Sequence, residues 1–150
     1  MGCESFEGYN ANKKDRVMAF AQLKWKIVDD VIIGVSGSGE LSDAQWKEFI
    51  ADMMANPVTK YLQFAVGATQ LSSVQRKMGI DAVAEKKVKI VMVTDSTVVR
   101  GIVTAASWFG LKVSSWRPTQ LDEAVKDLGV PAVKQDAIVK VAQDLAKLVE

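Results

Sequence analysis

The chain contains no histidine and only one cysteine among its 150 residues. Histidine is the commonest general base, the commonest metal ligand and the usual partner of a nucleophilic serine. Cys3 has no second cysteine with which to form an internal disulfide, as is typical of proteins in a reducing compartment. We therefore expect a cytoplasmic protein with no metal site, no cofactor and no assigned catalytic residues. An enzyme based on lysine or carboxylate side chains is an alternative, for which Arg100, Asp95 and Lys112 are the candidate polar groups.

An excess of one charge and long apolar runs are also missing. The 19 basic and 18 acidic residues nearly cancel, whereas nucleic-acid binding requires a strongly basic surface. No apolar run reaches the roughly 18 residues that span a membrane. Residues 1–16 are polar, which predicts a flexible leader rather than a signal peptide. We therefore expect neither nucleic-acid binding nor a membrane span.

Alternating strand and helix patterns are what the sequence does contain, and they are clearest in Lys87–Gly110. A nearly continuous apolar run from Val88 to Val93 predicts a strand covered on both faces. Helical periodicity follows, which predicts a helix that packs back on this strand. Its apolar positions are Val98, Ile102, Ala105 or Ala106, and Phe109. Gly110 stands where a helix C-cap belongs.

The other elements fit the same plan. Asp29-Asp30 separates two strand patterns, Phe20–Val28 and Val31–Val35, which predicts a hairpin. Ser42 with Gln45, and Ser72 with Gln75, have the spacing of capping boxes at two helix starts. The resulting order, β-β-α-β-α-β-α-β-α-α, predicts an α/β protein. We expect a mixed, mostly parallel sheet of about five strands with helices packed on it, plus an extra C-terminal helix.

Polar and aromatic residues at the ends of these elements are candidates for partner binding. They are Thr69, Gln70, Asp95, Ser96, Thr97, Trp108, Trp116 and Arg117. Helix capping is the alternative role for Asp95 and Ser96. Exposed aromatics beside an arginine are typical binding anchors, and packing at the edge of the core is the alternative for the two tryptophans.

Taken together, the chain resembles the STAS domains (sulphate-transporter and anti-sigma-factor-antagonist domains), and most closely their SpoIIAA-like, or STAS/SEC14-like, branch. Three stretches carry the resemblance: the hairpin followed by GELSDAQWKEFI, KIVMVTD running into VVRGIVTAASWFG, and KVSSWRPTQLDEAVKDLG. It covers roughly Phe20 to Leu128. The expected organisation is a leader at 1–16, a STAS-like domain at 17–130 and an amphipathic C-terminal helix at 131–150.

The resemblance implies a non-enzymatic regulatory module that binds a protein partner, such as a kinase-like anti-sigma factor. That partner phosphorylates a serine at the start of the helix after the middle strand, which makes Ser72 and Ser73 the candidates here. The family pattern is Asp-Ser-Ser/Thr-Gly, and Leu71 and Val74 stand in place of its aspartate and glycine. The SEC14-like side implies an alternative, a carrier of a lipid or another small apolar ligand.

A structural, oligomerising protein is a further alternative. The apolar stripe of the C-terminal helix must be buried somewhere. Packing on its own domain and packing on a second copy, as a homodimer, remain equally open from sequence.

Overall fold

A computed structural model of the protein describes residues 20–108 and 110–149. The strands of its main sheet, in spatial order, are β1 (Leu23–Val28), β2 (Val31–Ser36), β4 (Lys60–Ala65), β6 (Lys89–Val93) and β7 (Val113–Trp116). β1 runs antiparallel to β2, and the remaining neighbours pair in parallel. The predicted α/β class and the mixed, mostly parallel five-stranded sheet are confirmed.

Two short strands, five α-helices and one 3₁₀ turn (Pro118–Gln120) are the other regular elements of the described residues. β3 (Gly39–Glu40) and β5 (Thr69–Gln70) form a separate parallel pair. The helices are α1 (Asp43–Ala55), α2 (Ser73–Lys86), α3 (Thr97–Trp108), α4 (Leu121–Leu128) and α5 (Ala132–Val149). The leader predicted at residues 1–16 lies outside the described residues.

The predicted hairpin turn at Asp29-Asp30 is confirmed. Asp29 has a positive φ (55°), as the first central residue of the favoured two-residue hairpin turns does. The Asp30 carboxylate accepts hydrogen bonds from Thr59 Oγ1 and from Lys60 Nζ, the latter at 2.9 Å. These bonds, that of Thr59 first, lower the pKa of Asp30. Asp30 therefore joins the hairpin to the start of β4, whereas the Asp29 carboxylate accepts a hydrogen bond from Lys134 Nζ at 2.6 Å.

β2 is buried on both of its faces, since every one of its residues is buried and alternate residues point to opposite cores. Ile33 and Val35 face α4 and α5, whereas Ile32 faces α1 and α2. Ile138 and Ala142 of α5 belong to the first of these cores. The C-terminal helix thus buries its stripe on its own sheet. The homodimer through this helix stays a prediction.

The contact between α1 and α2 depends on a glycine inside α2. A Cβ on Gly79 would stand 2.9 Å from Cζ2 of Trp46, closer than real Cβ contacts allow. The Trp46 indole is buried and donates from Nε1 to the Gln75 carbonyl at 2.8 Å. Gly79 therefore lets the two helices approach around one tryptophan.

The prediction that the stripe of α3 faces the sheet is wrong. Val98 and Ile102 are more than half exposed, and Val103 is the buried residue of this helix. The reason lies in the topology: α3 packs on β7, which is an edge strand with no further strand beyond it. One flank of the helix suffices to cover that strand. Phe109, the last position of the predicted stripe, lies outside the described residues.

Candidate functional site

Two helix N-termini lie side by side beyond the carboxyl ends of β2 and β4. The β3–β5 pair fixes them there, with Leu41 N donating to Gln70 O at 3.1 Å and Gly39 N donating to Ala68 O at 3.1 Å. Two residues separate β3 from α1, and two residues separate β5 from α2. The pairing of these short strands therefore determines the spacing of the two helix starts.

The predicted capping box at the start of α2 is confirmed. The amide of Gln75 donates to Ser72 Oγ at 3.0 Å, and the amide of Ser72 donates to Gln75 Oε1 at 2.9 Å. At α1 only half of the predicted box forms. Ser42 Oγ accepts from the Gln45 amide, but Gln45 Oε1 accepts from the amide of Leu23 at 3.0 Å. That glutamine joins α1 to β1 instead of closing the box.

Gln75 also links the two helix N-termini to each other. Its side chain is 4% exposed. Nε2 donates to Leu41 O at 2.9 Å and to Asp43 Oδ1 at 2.8 Å, both at the start of α1. Sequence reasoning identified Gln75 only as the cap partner of Ser72. Spacing within one helix carries no information about its contacts to α1.

The two candidate serines differ in what their hydroxyl groups do. Ser72 and Ser73 are both exposed. Ser72 Oγ is occupied as the N-cap acceptor, whereas Ser73 is the first helical residue and its Oγ has no hydrogen-bond partner within the described residues. Of the two hydroxyls, that of Ser73 can be modified without opening the cap.

An open groove of about 360 Å³ lies between the two helix starts. Its lining residues are Phe20, Glu40, Leu41, Ser42, Asp43, Gln70, Leu71, Ser72 and Gln75. Two of them, Glu40 and Asp43, carry carboxylates, so the groove is acidic as well as partly apolar. A second open concavity, of about 390 Å³, is lined by Gly37, Ser38, Val66, Gly67 and Val149.

A buried chain of polar side chains supports the loops beneath the groove. Tyr61 OH donates to Gln63 Oε1, and Gln63 Nε2 donates to Ser36 Oγ at 3.0 Å. Ser36 Oγ lies 2.9 Å from Thr69 Oγ1, which donates to Gly37 O at 2.6 Å. Burial raises the pKa of Tyr61, so its hydroxyl remains a donor. The hydroxyl of Thr69, a candidate for partner binding, is therefore hydrogen-bonded within the protein.

The candidates at the start of α3 lie on the same edge of the sheet as Ser72, because β4 and β6 are adjacent and parallel. Ser96 Oγ accepts from the amide of Val99 at 3.2 Å and so caps α3. Asp95 and Thr97 are exposed. Capping is thus the role of Ser96, while its two neighbours are accessible to a partner.

The two tryptophans have different environments. Trp108 is 79% exposed at the far end of α3. Trp116 is half-buried, and its Nε1 donates to Asp127 Oδ2 at 3.0 Å. Burial of Asp127 acts to raise its pKa, but hydrogen bonds from Ser114 and Trp116 outweigh it and the pKa is lowered. Arg117 is exposed next to Trp116, at the carboxyl end of β7.

Comparison with solved structures identifies the architecture. An anti-sigma factor antagonist from Mycobacterium paratuberculosis superposes with a TM-score of 0.53 over 73% of this chain and 95% of its own. The chain has a STAS-like fold. At 17% sequence identity the likeness shows the fold alone.

An uncharacterized protein from Shewanella loihica with a SpoIIAA-like fold is also similar, at 12% identity and a TM-score of 0.48 over 73% of this chain and 93% of its own. That score is too low to support an argument about this chain. No protein-family model matches the sequence, and no curated protein sequence matches it.

None of the helices in residues 20–108 and 110–149 is long and apolar enough to cross a membrane. Within the same ranges, no three carboxylate or thiol side chains cluster as a metal ion would require.

Proposed function

We propose that this protein is a non-enzymatic, cytoplasmic regulatory module that acts through protein contacts. Its partner binds the acidic groove and the exposed first turn of α2. One observation carries the proposal: Ser73 is exposed, its hydroxyl has no hydrogen-bond partner among the residues that the structure describes, and it lies on a helix start held by Gln75 and the β3–β5 pair. The fold shared with an anti-sigma factor antagonist supports the same interpretation.

Phosphorylation of Ser73 would control this contact. A phosphate adds about 1.5 to 2 negative charges, and a helix N-terminus stabilises such a charge by roughly 0.3 to 1 kcal/mol. The fold therefore tolerates the modification. Glu40 and Asp43 already line the groove, so the phosphate would concentrate like charges that a docking partner must desolvate. The modified protein then binds its partner more weakly than the unmodified protein does.

The partner implied by the STAS resemblance is a kinase-like anti-sigma factor. Such a partner would transfer phosphate from ATP to Ser73 and then dissociate. Incubating the protein with lysate of its native organism and ATP, followed by peptide mass spectrometry, tests the first step. We expect phosphate on the peptide that contains Ser73, and its loss in Ser73→Ala.

The second step is tested by affinity measurements. The wild-type protein captures partners from the lysate, and the dissociation constant of each purified candidate is measured by calorimetry. Ser73→Asp should raise the dissociation constant of the specific partner at least tenfold, which is about 1.4 kcal/mol of binding free energy. The dissociation constant for Ser73→Ala should stay near the wild-type value. Ser107→Asp is the control, since Ser107 is an exposed serine on a different helix, near the C-terminal end of α3. Equal binding by the two aspartate variants would reject the switch.

A further inference from the structure

The groove between the two helix starts carries negative charge that no cation of the described chain neutralises. Glu40 and Asp43 are exposed and line it, and neither carboxylate forms an ion pair in the part of the chain that the structure describes. The donor to Asp43 is the neutral side chain of Gln75, at 2.8 Å. Arg76, the first basic residue of α2, donates to Leu71 O and does not line the groove. The groove is therefore complementary to a positively charged segment.

The remainder of the groove includes apolar surface. Phe20 is 46% exposed, and Leu71 is half-buried just before the N-cap of α2. Both side chains line the groove, whose volume is about 360 Å³. A purely charged ligand would leave this apolar surface in water, which is unfavourable. The ligand that fits best therefore combines positive charge with an apolar side chain.

The described chain begins at this groove. Phe20 is its first residue and lines the groove. The amide of Ala21 donates to Glu40 O at 2.8 Å, so the backbone passes beside one of the two acidic residues. Arg16 and Lys13 stand four and seven positions before Phe20. At about 3.3 to 3.6 Å per residue, they can reach at most about 14 Å and about 25 Å from it, which includes the whole groove.

The residues just before Phe20 have the complementary composition. Residues 13–18 (KKDRVM) hold three basic residues and one acidic residue, a net charge of +2, whereas residues 1–12 hold two acidic residues and no basic one. Alternate residues of an extended segment share one side, which groups Lys14, Arg16 and Met18. We propose that residues 13–18, the basic segment, bind the acidic groove of their own chain and compete there with the partner.

Attachment at the edge of the groove makes weak contacts sufficient. A short connection gives the attached segment an effective concentration in the millimolar range. Exposed ion pairs contribute little individually and are screened by salt. The groove is therefore occupied only part of the time, and less so as ionic strength rises. Occupancy of about two-thirds to nine-tenths would raise the apparent dissociation constant of the partner about three- to tenfold.

This competition rests on the function proposed above, because it requires a partner that uses the same groove. A phosphate on Ser73 would add negative charge beside the groove and favour the basic segment further. The segment and the phosphate would then both act against the partner. Binding of the segment to the groove, by contrast, is measurable with no partner present.

Paramagnetic relaxation enhancement in the full chain tests the binding step. Cys3 is the only cysteine of the chain, so Cys3→Ser with Asn12→Cys places a single nitroxide label next to the basic segment. The label should broaden the amide signals of Glu40, Asp43 and Ser72. Broadening of the same signals on an isotope-labelled chain that lacks the nitroxide, when the two chains are mixed, would assign the groove to a second copy and reject the proposal.

Charge reversal separates binding from mere attachment at Phe20. Lys14→Glu with Arg16→Glu should reduce the enhancement to roughly half or less, because like charges oppose docking. The matched control is Lys24→Glu with Lys26→Glu, which changes the net charge equally at two exposed positions of β1 with the same spacing. It should leave the enhancement unchanged. Equal enhancement in the parent and in the Lys14/Arg16 variant would overturn the proposal.

Two further measurements keep the test decisive. Glu40→Lys should also reduce the enhancement, and combining it with Arg16→Glu should restore part of it, because the two charges are then exchanged. Lack of restoration would contradict the pairing of the segment with the groove. If circular dichroism shows that a variant does not fold, the unreversed chain is measured from about 0.05 M to about 0.5 M NaCl. An enhancement that does not fall with salt would overturn the proposal.

The competition step uses the purified partner from the Ser73 experiments. Lys14→Glu with Arg16→Glu should lower the dissociation constant of that partner about three- to tenfold, and the control pair on β1 should not change it. An unchanged constant in both variants would reject the competition. A chain that binds no partner would instead contradict the proposed function, and the relaxation experiment decides independently whether the basic segment binds the groove.

Discussion

Replacing Gln75 by leucine should destabilise the protein more than any single hydrogen bond would suggest. The Gln75 side chain makes three hydrogen bonds, to the Ser72 amide, to Leu41 O and to the Asp43 carboxylate. At about 0.5 to 1.5 kcal/mol for each bond, and with the Ser72 amide and Leu41 carbonyl left without these partners, we expect a loss of about 2 to 4 kcal/mol. For a domain of this size that lowers Tm by roughly 5 to 12 °C.

Urea unfolding followed by tryptophan fluorescence measures this loss as a free energy of unfolding. Gln70→Leu is the matched control, because Gln70 is exposed and lines the same groove, and it should change stability by less than about 0.5 kcal/mol. Equal, small effects of the two substitutions would show that Gln75 does not join α1 to α2. The reasoning about a rigidly held helix start would then be wrong.

Three further outcomes are expected. Gly79→Ala should destabilise the protein by about 1 to 3 kcal/mol in urea unfolding, despite the helix preference for alanine, because the methyl group meets Trp46; a stabilised variant would contradict this. Ser72→Ala should cost about 1 kcal/mol through loss of the N-cap, whereas Ser73→Ala should be nearly neutral by the same assay; equal losses would contradict the assignment of the cap to Ser72. Because the folded-state pKa of Asp30 is lowered, its contribution is present above the ordinary carboxyl pKa and is lost as pH falls through the folded-state value. Unfolding free energies measured from about pH 6 to pH 2 should therefore fall more steeply for wild type than for Asp30→Asn, and parallel curves would exclude this contribution.

Periodicity and local cap chemistry sufficed to predict most of the fold. The strands around Asp29-Asp30 and the box at Ser72 follow from contacts within a few residues, which a sequence displays directly. The orientation of α3 could not be obtained in this way. An apolar stripe shows that a face avoids water, but it does not show whether the sheet or another molecule covers it. Val98 and Ile102 are exposed because α3 ends the sheet, and strand order is a tertiary property.

In the candidate site, too, the sequence predicted the local contacts but not the contacts between elements. Sequence placed Ser72 and Ser73 at a helix start, and the structure confirms that position. The role of Gln75 as a link to α1 depends on residues more than 30 positions away. The second half of the Ser42 box failed because Leu23 competes for the side chain of Gln45. Local rules do not include such competition between elements.

The buried polar chain beneath the groove has a consequence for fold specificity. β2 and β4 are parallel and largely apolar, so a slip of two residues would keep the same side chains facing each core. Gly34 lies opposite Gln63, and a Cβ there would be 2.6 Å from Gln63 Oε1. Only one register therefore places the glutamine over a glycine and within reach of Ser36. Every slipped pairing would bury unsatisfied polar atoms, so three residues with small or polar side chains give an apolar pair of strands a single alignment.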